Sequence, residues 1–177
     1  MKNVLIISGS PRKNGNSQML CEEFKRGAEG KGNSVEIIRL SEKKIGYCSA
    51  CNYCMKNNGI CILMDDMAEI LKKFINADVL VLATPVYFYG ICAQMKTFID
   101  RTYPIWQQLG EKEVYYIVSA GHDENVIKRS LGDLDGFVEH FDKYEIKGRI
   151  YATYVMDAGR VFGTPVMDLA YQMGSNV

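Results

Sequence analysis

The sequence predicts an α/β protein built on one doubly wound parallel sheet. Five short apolar segments alternate along the chain with five segments of helical periodicity, which is typical of that fold class. Segments that are apolar throughout suit the central strands of a parallel sheet, because helices cover both faces. Strands are predicted over 4–7, 35–40, 79–83, 114–118 and 146–155, and helices over 16–30, 65–76, 93–103, 126–141 and 165–173.

Local signals indicate where several of these elements begin or end. Asn16 or Ser17 is expected to cap the first helix, and the acidic pair Asp65 and Asp66 suits the start of the second. The partial alternation in segment 35–40 indicates an edge strand. In a sheet of order 2-1-3-4-5, ligands bind outside the carboxyl ends of the strands, between the first and the third. The loops after the first, third and fourth strands are therefore expected to carry the chemistry.

Composition narrows the class of protein. The 177 residues fit one domain, expected to span 1–177 with a cysteine-rich insertion at about 46–64. Lys plus Arg and Asp plus Glu both number 21, and a zero net charge argues against nucleic-acid binding. No apolar segment approaches the roughly 20 residues of a membrane helix, and no signal-peptide pattern is visible. A cytoplasmic protein with reduced thiols is expected.

The first loop, 8–17, is rich in small polar residues and leads into a helix N-terminus, which favours an anion. It matches neither the P-loop nor the dinucleotide-binding pattern. A polar connection that binds nothing has the same composition, so this alternative stays open. The candidate anion-binding residues are Ser8, Ser10, Arg12, Asn14, Asn16 and Ser17.

Two motifs carry a resemblance to a known family. Gly9-Ser10-Pro11-Arg12 followed by Asn14-Gly15-Asn16-Ser17 resembles the phosphate loop of the NADPH-dependent FMN reductase and flavodoxin-like families. The stretch 83–90, continued by 95–101, is similar to the segment of those families that lies along the flavin ring and then packs at the subunit contact. The resemblance covers essentially the whole chain. It implies a flavodoxin-like fold, bound FMN, NAD(P)H as a transient substrate, and a homodimer or homotetramer.

Under this resemblance, the loops after the third and fourth strands would face the flavin ring. Backbone N–H groups from Val86 to Tyr89 are better candidates than any single aromatic ring, since some of these aromatics are expected in the core or at a subunit contact. His122 is more often a solvated loop residue than a flavin ligand, and His140 is expected to be structural. The candidate ring-binding residues are Pro85, Val86, Tyr87, Phe88, Tyr89, Ser119, Gly121 and His122.

Four of the six cysteines form the pattern Cys48-x2-Cys51-x2-Cys54-x6-Cys61. Three cysteines at this spacing can wrap one corner of a [4Fe–4S] cluster, as in bacterial ferredoxins. The pattern resembles the compact cysteine motif of the iron–sulfur flavoproteins. Free or redox-active thiols remain an equal alternative, and zinc a weaker one because its sites usually use two separated pairs. Cys21 and Cys92 are expected in the core.

The functional hypothesis is an NAD(P)H-dependent FMN oxidoreductase, which passes electrons to a flavin, a quinone, another small acceptor or a redox protein. No Ser/His/Asp or paired-carboxylate arrangement competes with it, and no catalytic side chain is expected because the flavin carries the chemistry. The alternative is an iron–sulfur flavoprotein that acts as an electron carrier with FMN and a [4Fe–4S] cluster. A flavin-binding sensor without turnover is a third option.

Overall fold

The computed structural model describes all residues from 1 to 177. Its sheet has five long parallel strands in the order β2-β1-β3-β5-β6, and a short strand β4 pairs antiparallel with β3. The predicted sheet and its order 2-1-3-4-5 are therefore confirmed, with one short strand added. The strands are β1 (Asn3–Ser8), β2 (Ser34–Arg39), β3 (Val79–Tyr87), β4 (Gly90–Ile91), β5 (Glu111–Ser119) and β6 (Lys143–Ala152).

Helices cover both faces of this sheet. They are α1 (Asn16–Glu29), α2 (Tyr53–Lys56), α3 (Met67–Asn76), α4 (Ala93–Asp100), α5 (Glu124–Val138) and α6 (Pro165–Ser175), with short 3-10 turns at Leu40–Glu42 and Tyr103–Gln108. One apolar cluster joins the sheet to α3, α4 and α5, and a second joins it to α1 and α6. None of the helices is long and apolar enough to cross a bilayer.

The central strands are buried on both faces, which explains why their sequences are apolar throughout. In β1, Leu5 and Ile7 point into the first cluster, whereas Val4 and Ile6 point into the second. Successive side chains of a strand alternate between its faces, so a strand covered on both sides must be apolar at every position.

Several element ends differ from the sequence expectation. Helix α3 begins at Met67 because the Asp65 carboxylate, ahead of the helix, accepts the Met67 N–H at 3.1 Å. The residue that caps α1 is Gly15, so the expected side-chain cap by Asn16 or Ser17 is wrong. Strand β6 ends at Ala152, and α4 ends at Asp100, where a 3-10 turn containing a proline takes over.

Candidate functional site

A cavity of about 90 Å³ lies at the carboxyl ends of three neighbouring strands. Ser8 at the end of β1 pairs with Ala83 of β3, and Pro85 of β3 pairs with Ser119 of β5. The loops after these strands therefore meet at one edge of the sheet, where a doubly wound fold binds its ligands. The lining residues are Ser10, Arg12, Gly15, Asn16, Ser17, Pro85, Val86, Tyr87, Ser119, Ala120, Gly121, Val155 and Met156.

The N-terminus of α1 opens into this cavity. Ser17 is only 1% exposed, and its buried hydroxyl has no hydrogen-bond partner. The first N–H groups of the helix also lack partners within the helix, and its dipole places positive potential there. A buried donor without a partner is costly, and an anion seated at this end would satisfy it. The donor set therefore fits a phosphate group.

Gly9 holds the loop against the end of β3. Its N–H donates to the Ala83 carbonyl at 2.8 Å, and the Cys92 thiol donates to the Gly9 carbonyl at 3.1 Å. Burial raises the pKa of Cys92, which keeps this thiol protonated and able to donate. A Cβ on Gly9 would lie 2.7 Å from the Cys92 sulfur, so only glycine allows this approach.

The outer wall of the cavity comes from the chain that follows β6. The Asn16 Nδ2 donates to the Val155 and Asp157 carbonyls, both at 2.8 Å, and its Oδ1 accepts from the Val161 N–H at 3.2 Å. Arg12 Nη1 donates to the Met156 carbonyl at 2.9 Å. The Asn16 side chain is thus fully occupied in holding this wall, whereas Arg12 keeps its remaining N–H groups for a ligand.

Of the three consecutive aromatics, only Tyr87 lines the cavity. Phe88 and Tyr89 form the two-residue turn between β3 and β4, and both have positive φ, 47° and 66°. The Phe88 side chain is fully exposed, and the Arg129 guanidinium lies 5.1 Å from the centre of the Tyr89 ring. Left-handed backbone is costly for residues with a side chain, so the turn is held under strain.

The cavity brings together most of the residues expected there from sequence. Those that line it are Ser10, Arg12, Asn16, Ser17, Pro85, Val86, Tyr87, Ser119 and Gly121, and those outside its lining are Ser8, Asn14, Phe88, Tyr89 and His122. The Ser8 hydroxyl is buried and donates to Gln18 Oε1 at 2.6 Å, which keeps it out of the ligand space.

Sequence reasoning did not name four lining residues. Gly15 lies inside the recognised loop motif, which is the signal that could have identified it. In the structure a Cβ at this position would lie 2.5 Å from the Ser10 Oγ. Ala120 lies between two predicted residues. Val155 and Met156 carry no local signal, because they reach the cavity only through the return of the chain after β6.

A second feature is the irregular cysteine segment from Gly46 to Asp65. Its four cysteines Cys48, Cys51, Cys54 and Cys61 all line one small cavity of about 30 Å³. No group of three or more His, Cys, Asp or Glu side chains in the chain is arranged to hold a single metal ion. A four-iron cluster is larger than one ion and holds its thiolates further apart. All four cysteines line one cavity, and their single compact run fits the thiolate ligands of a cluster better than the two separated pairs typical of zinc.

A buried ion pair closes the base of the cysteine segment. Arg101, 2% exposed, donates to both Asp65 oxygens at 2.7 and 3.0 Å and to the Gly46 carbonyl at 2.6 Å. It also donates to the Cys61 sulfur at 3.6 Å. Burial works to raise the pKa of Asp65, but the hydrogen bonds from Arg101 and from two backbone N–H groups outweigh it and lower that pKa. The pair thus joins both ends of the segment to α4.

The sequence model of the NADPH-dependent FMN reductase family matches residues 2–138, more than half of the chain. This chain belongs to the NADPH-dependent FMN reductase family. The matched range contains the phosphate-type loop, the strand end at Pro85–Tyr87 and the cysteine segment. It ends at the last residue of α5, so the wall formed by Val155 and Met156 lies outside it.

Curated relatives divide into two kinds. An iron-sulfur flavoprotein of Methanocaldococcus jannaschii is 43% identical over 102 residues, 58% of this chain and 52% of that protein. The chain therefore spans about half the length of the iron-sulfur flavoproteins that it matches. A Bacillus subtilis protein named as an NAD(P)H-dependent FMN-containing oxidoreductase is 25% identical over 173 residues, 93% of this chain and 90% of that one.

Solved structures share the fold of this family member. An azoreductase from Bacillus anthracis superposes with a TM-score of 0.80 at 15% identity, covering all of both chains. An NAD(P)H:quinone oxidoreductase from Methanothermobacter marburgensis gives a TM-score of 0.74 at 18% identity, covering 99% of this chain and 95% of that one. At such identities the likeness concerns the fold, and it confirms the flavodoxin-like architecture.

Proposed function

We propose that this chain binds FMN in the cavity at the strand ends and works as an NAD(P)H-dependent oxidoreductase. The observation that carries the proposal is the buried, unpartnered Ser17 hydroxyl at the N-terminus of α1. A buried donor at a helix N-terminus suits a phosphate oxygen, and the family of this chain is that of the FMN reductases.

The roles of the chain's own residues follow from the cavity. Ser10, Ser17 and the first N–H groups of α1 would hold the phosphate, and Arg12 would add charge from the open side. Pro85, Val86 and Tyr87 would support the ring on one side, and Ser119 to Gly121 would meet its edge. The cavity is smaller than the roughly 300–1,000 Å³ of an enclosed ligand site, so the flavin would enter with its phosphate end and leave its ring accessible.

When bound, FMN would supply the group that accepts hydride from a nicotinamide and passes electrons to a second substrate. The protein's part is to hold it with one face open, which allows two substrates to use the same place in turn. We propose a small acceptor such as a quinone, a flavin or a nitroaromatic compound, and a homodimer or homotetramer as the working assembly.

The substitution Ser17→Ala tests the phosphate assignment. Without FMN, the variant should be as stable as the parent or more stable by about 1 kcal/mol, because it removes a buried unsatisfied hydroxyl. With FMN, loss of one hydrogen bond to a charged group should raise the Kd by about tenfold or more. FMN fluorescence titration of stripped protein and urea unfolding measure the two effects.

The control is Ser130→Ala. Ser130 in α5 is also fully buried with an unpartnered hydroxyl, but it lies outside the cavity. It should show the same change in stability and no change in FMN affinity. Equal FMN affinity in all three proteins would mean that the phosphate does not bind at Ser17.

A second candidate function is electron transfer by an iron–sulfur flavoprotein, which the cavity lined by all four cysteines favours. We propose that Cys48, Cys51, Cys54 and Cys61 would ligate a [4Fe–4S] cluster in that case. Anaerobic purification followed by iron and acid-labile sulfide analysis tests it. About four iron atoms and four sulfides per chain would support the electron-carrier function. Flavin absorption bands without iron would support only the oxidoreductase function.

A further inference from the structure

The chain that follows β6 closes the outer side of the cavity at the strand ends. We call its residues 153–161 the strap. Two of them, Val155 and Met156, line the cavity together with the first residues of α1. The family model matches residues 2–138, so the strap lies outside the matched range, and its part in the site follows from the contacts that it makes in this chain.

The side chain of Asn16 pins the strap to the helix that would hold the phosphate. Asn16 is the first residue of α1 and is buried. Its Nδ2 donates to the carbonyls of Val155 and Asp157, both at 2.8 Å, and its Oδ1 accepts from the N–H of Val161 at 3.2 Å. A buried amide that bonds through both of its ends has one orientation available, so the strap is fixed beside the N-terminus of α1.

Two further hydrogen bonds tie the strap to the loops on either side of the cavity. Arg12 Nη1 donates to the Met156 carbonyl at 2.9 Å, which joins the strap to the loop after β1. The N–H of Val155 donates to the Ala120 carbonyl at 2.9 Å, which joins it to the loop after β5. The N-terminus of α1 therefore faces a space that backbone encloses on its outer side.

An enclosed phosphate end limits which flavin can bind. The phosphate of FMN is terminal, so the molecule can end inside this space. FAD carries the same ring and ribityl chain, but its phosphate continues through a second phosphate to adenosine and needs an exit past the strap. We propose that the strap, pinned by Asn16, selects a flavin that ends in a monophosphate and rejects FAD by steric exclusion.

This inference rests on the proposed FMN site, and the ratio of two affinities tests it. Equilibrium dialysis of flavin-free protein should give a Kd for FMN at least about tenfold below that for FAD. Asn16→Ala releases the strap and should reduce the ratio to about threefold or less. General loosening of the site would weaken both flavins, and a preference due to phosphate charge alone would not change. An unchanged ratio in the variant, or equal Kd values in the parent, would overturn the inference.

The matched control is Asn33→Ala. The side chain of Asn33 also joins distant parts of the backbone: its Oδ1 accepts from the Lys2 N–H at 2.9 Å, and its Nδ2 donates to the Val177 carbonyl at 3.5 Å. It does not line the cavity. The same substitution at this position should therefore leave the ratio of the FMN and FAD affinities at the parental value.

Two glycines offer a second pair of variants that keeps Asn16 in place. Gly159, in the strap, has φ of 79°, and Gly32, in the turn after α1, has φ of 84°; a Cβ at either meets nothing within 4 Å. Valine strains both positions alike, because β-branched residues rarely adopt positive φ. Gly159→Val should lower the ratio of the affinities, whereas Gly32→Val should not. Equal ratios in the two variants would contradict selection by the strap.

Amide hydrogen exchange of the flavin-free protein tests the strap directly. The N–H of Val161 should exchange about tenfold faster in Asn16→Ala and at the parental rate in Asn33→Ala. Parental exchange in both variants would mean that Asn16 does not hold the strap. A protein that binds neither flavin would contradict the proposed FMN site and the selectivity together. A protein that binds FMN and FAD equally would contradict the selectivity and leave the FMN site standing.

Discussion

The cavity at the strand ends and the cysteine segment are held in opposite ways. The first is built from regular structure: Gly9 bonds to β3, and the Asn16 side chain makes three bonds to the chain after β6. The second has one four-residue helix and several residues with positive φ, and the buried cation Arg101 holds its two ends. A ligand site supported by several elements should tolerate the loss of one bond better than an irregular segment whose two ends share one buried cation.

Arg101→Leu should therefore give the largest effect. It leaves the Asp65 carboxylate without its cation, and breaking a partly buried pair from one side costs about 3 kcal/mol. Urea unfolding should show this loss of stability, and hydrogen exchange should show opening confined at first to residues 46–65. Binding of FMN should change little, because Arg101 does not line that cavity.

Lys96→Gln, in the helix that ends just before Arg101, is the control. It breaks the exposed pair with Asp100 and should cost less than about 1 kcal/mol. A loss of similar size in the two variants would mean that the buried pair has no special part in holding the cysteine segment.

Gly9→Ala should cost somewhat less and should act on the other region. The added methyl would lie 2.7 Å from the Cys92 sulfur and 3.2 Å from the Met95 Cβ, and overpacking of this kind costs about 2 kcal/mol. Because the loop must then move away from β3, FMN affinity should fall as well. Gly132→Ala, where a Cβ meets nothing within 4 Å, should instead gain about 0.5–1 kcal/mol.

The same contrast explains what could be predicted from sequence. The strands, the loop at Ser10 to Ser17 and the strand end at Pro85 are local patterns, and the structure places them as expected. The role of Asn16 was not predictable in this way, because its partners lie 139 to 145 residues further along the chain. Arg101 was missed for the same reason, since a buried cation is recognised only when its distant carboxylate is known.

The turn at Phe88 and Tyr89 should give a smaller effect of opposite sign. Replacing this pair by Asn-Gly relieves two left-handed residues, each costing roughly 1–2 kcal/mol, and loses the stacking of Tyr89 on Arg129. A net gain of about 1 kcal/mol is expected in urea unfolding. If FMN affinity falls while stability rises, the strain at this turn serves the flavin site; unchanged affinity would assign Phe88 and Tyr89 to another contact.

Acid should produce the smallest effect and should act first on the cysteine segment. The folded pKa of Asp65 lies below its ordinary value of 3.8, so its carboxylate contributes stability that is complete above pH 3.8 and is lost as the pH falls through the folded value. The stability advantage of the parent over Asp65→Asn should therefore shrink below pH 3.8 and stay constant from pH 5 to 7. Urea unfolding of both proteins at each pH measures it. An advantage that persists unchanged to the lowest pH at which both proteins fold would show that Asp65 holds the segment through hydrogen bonds that survive protonation, and not through its charge.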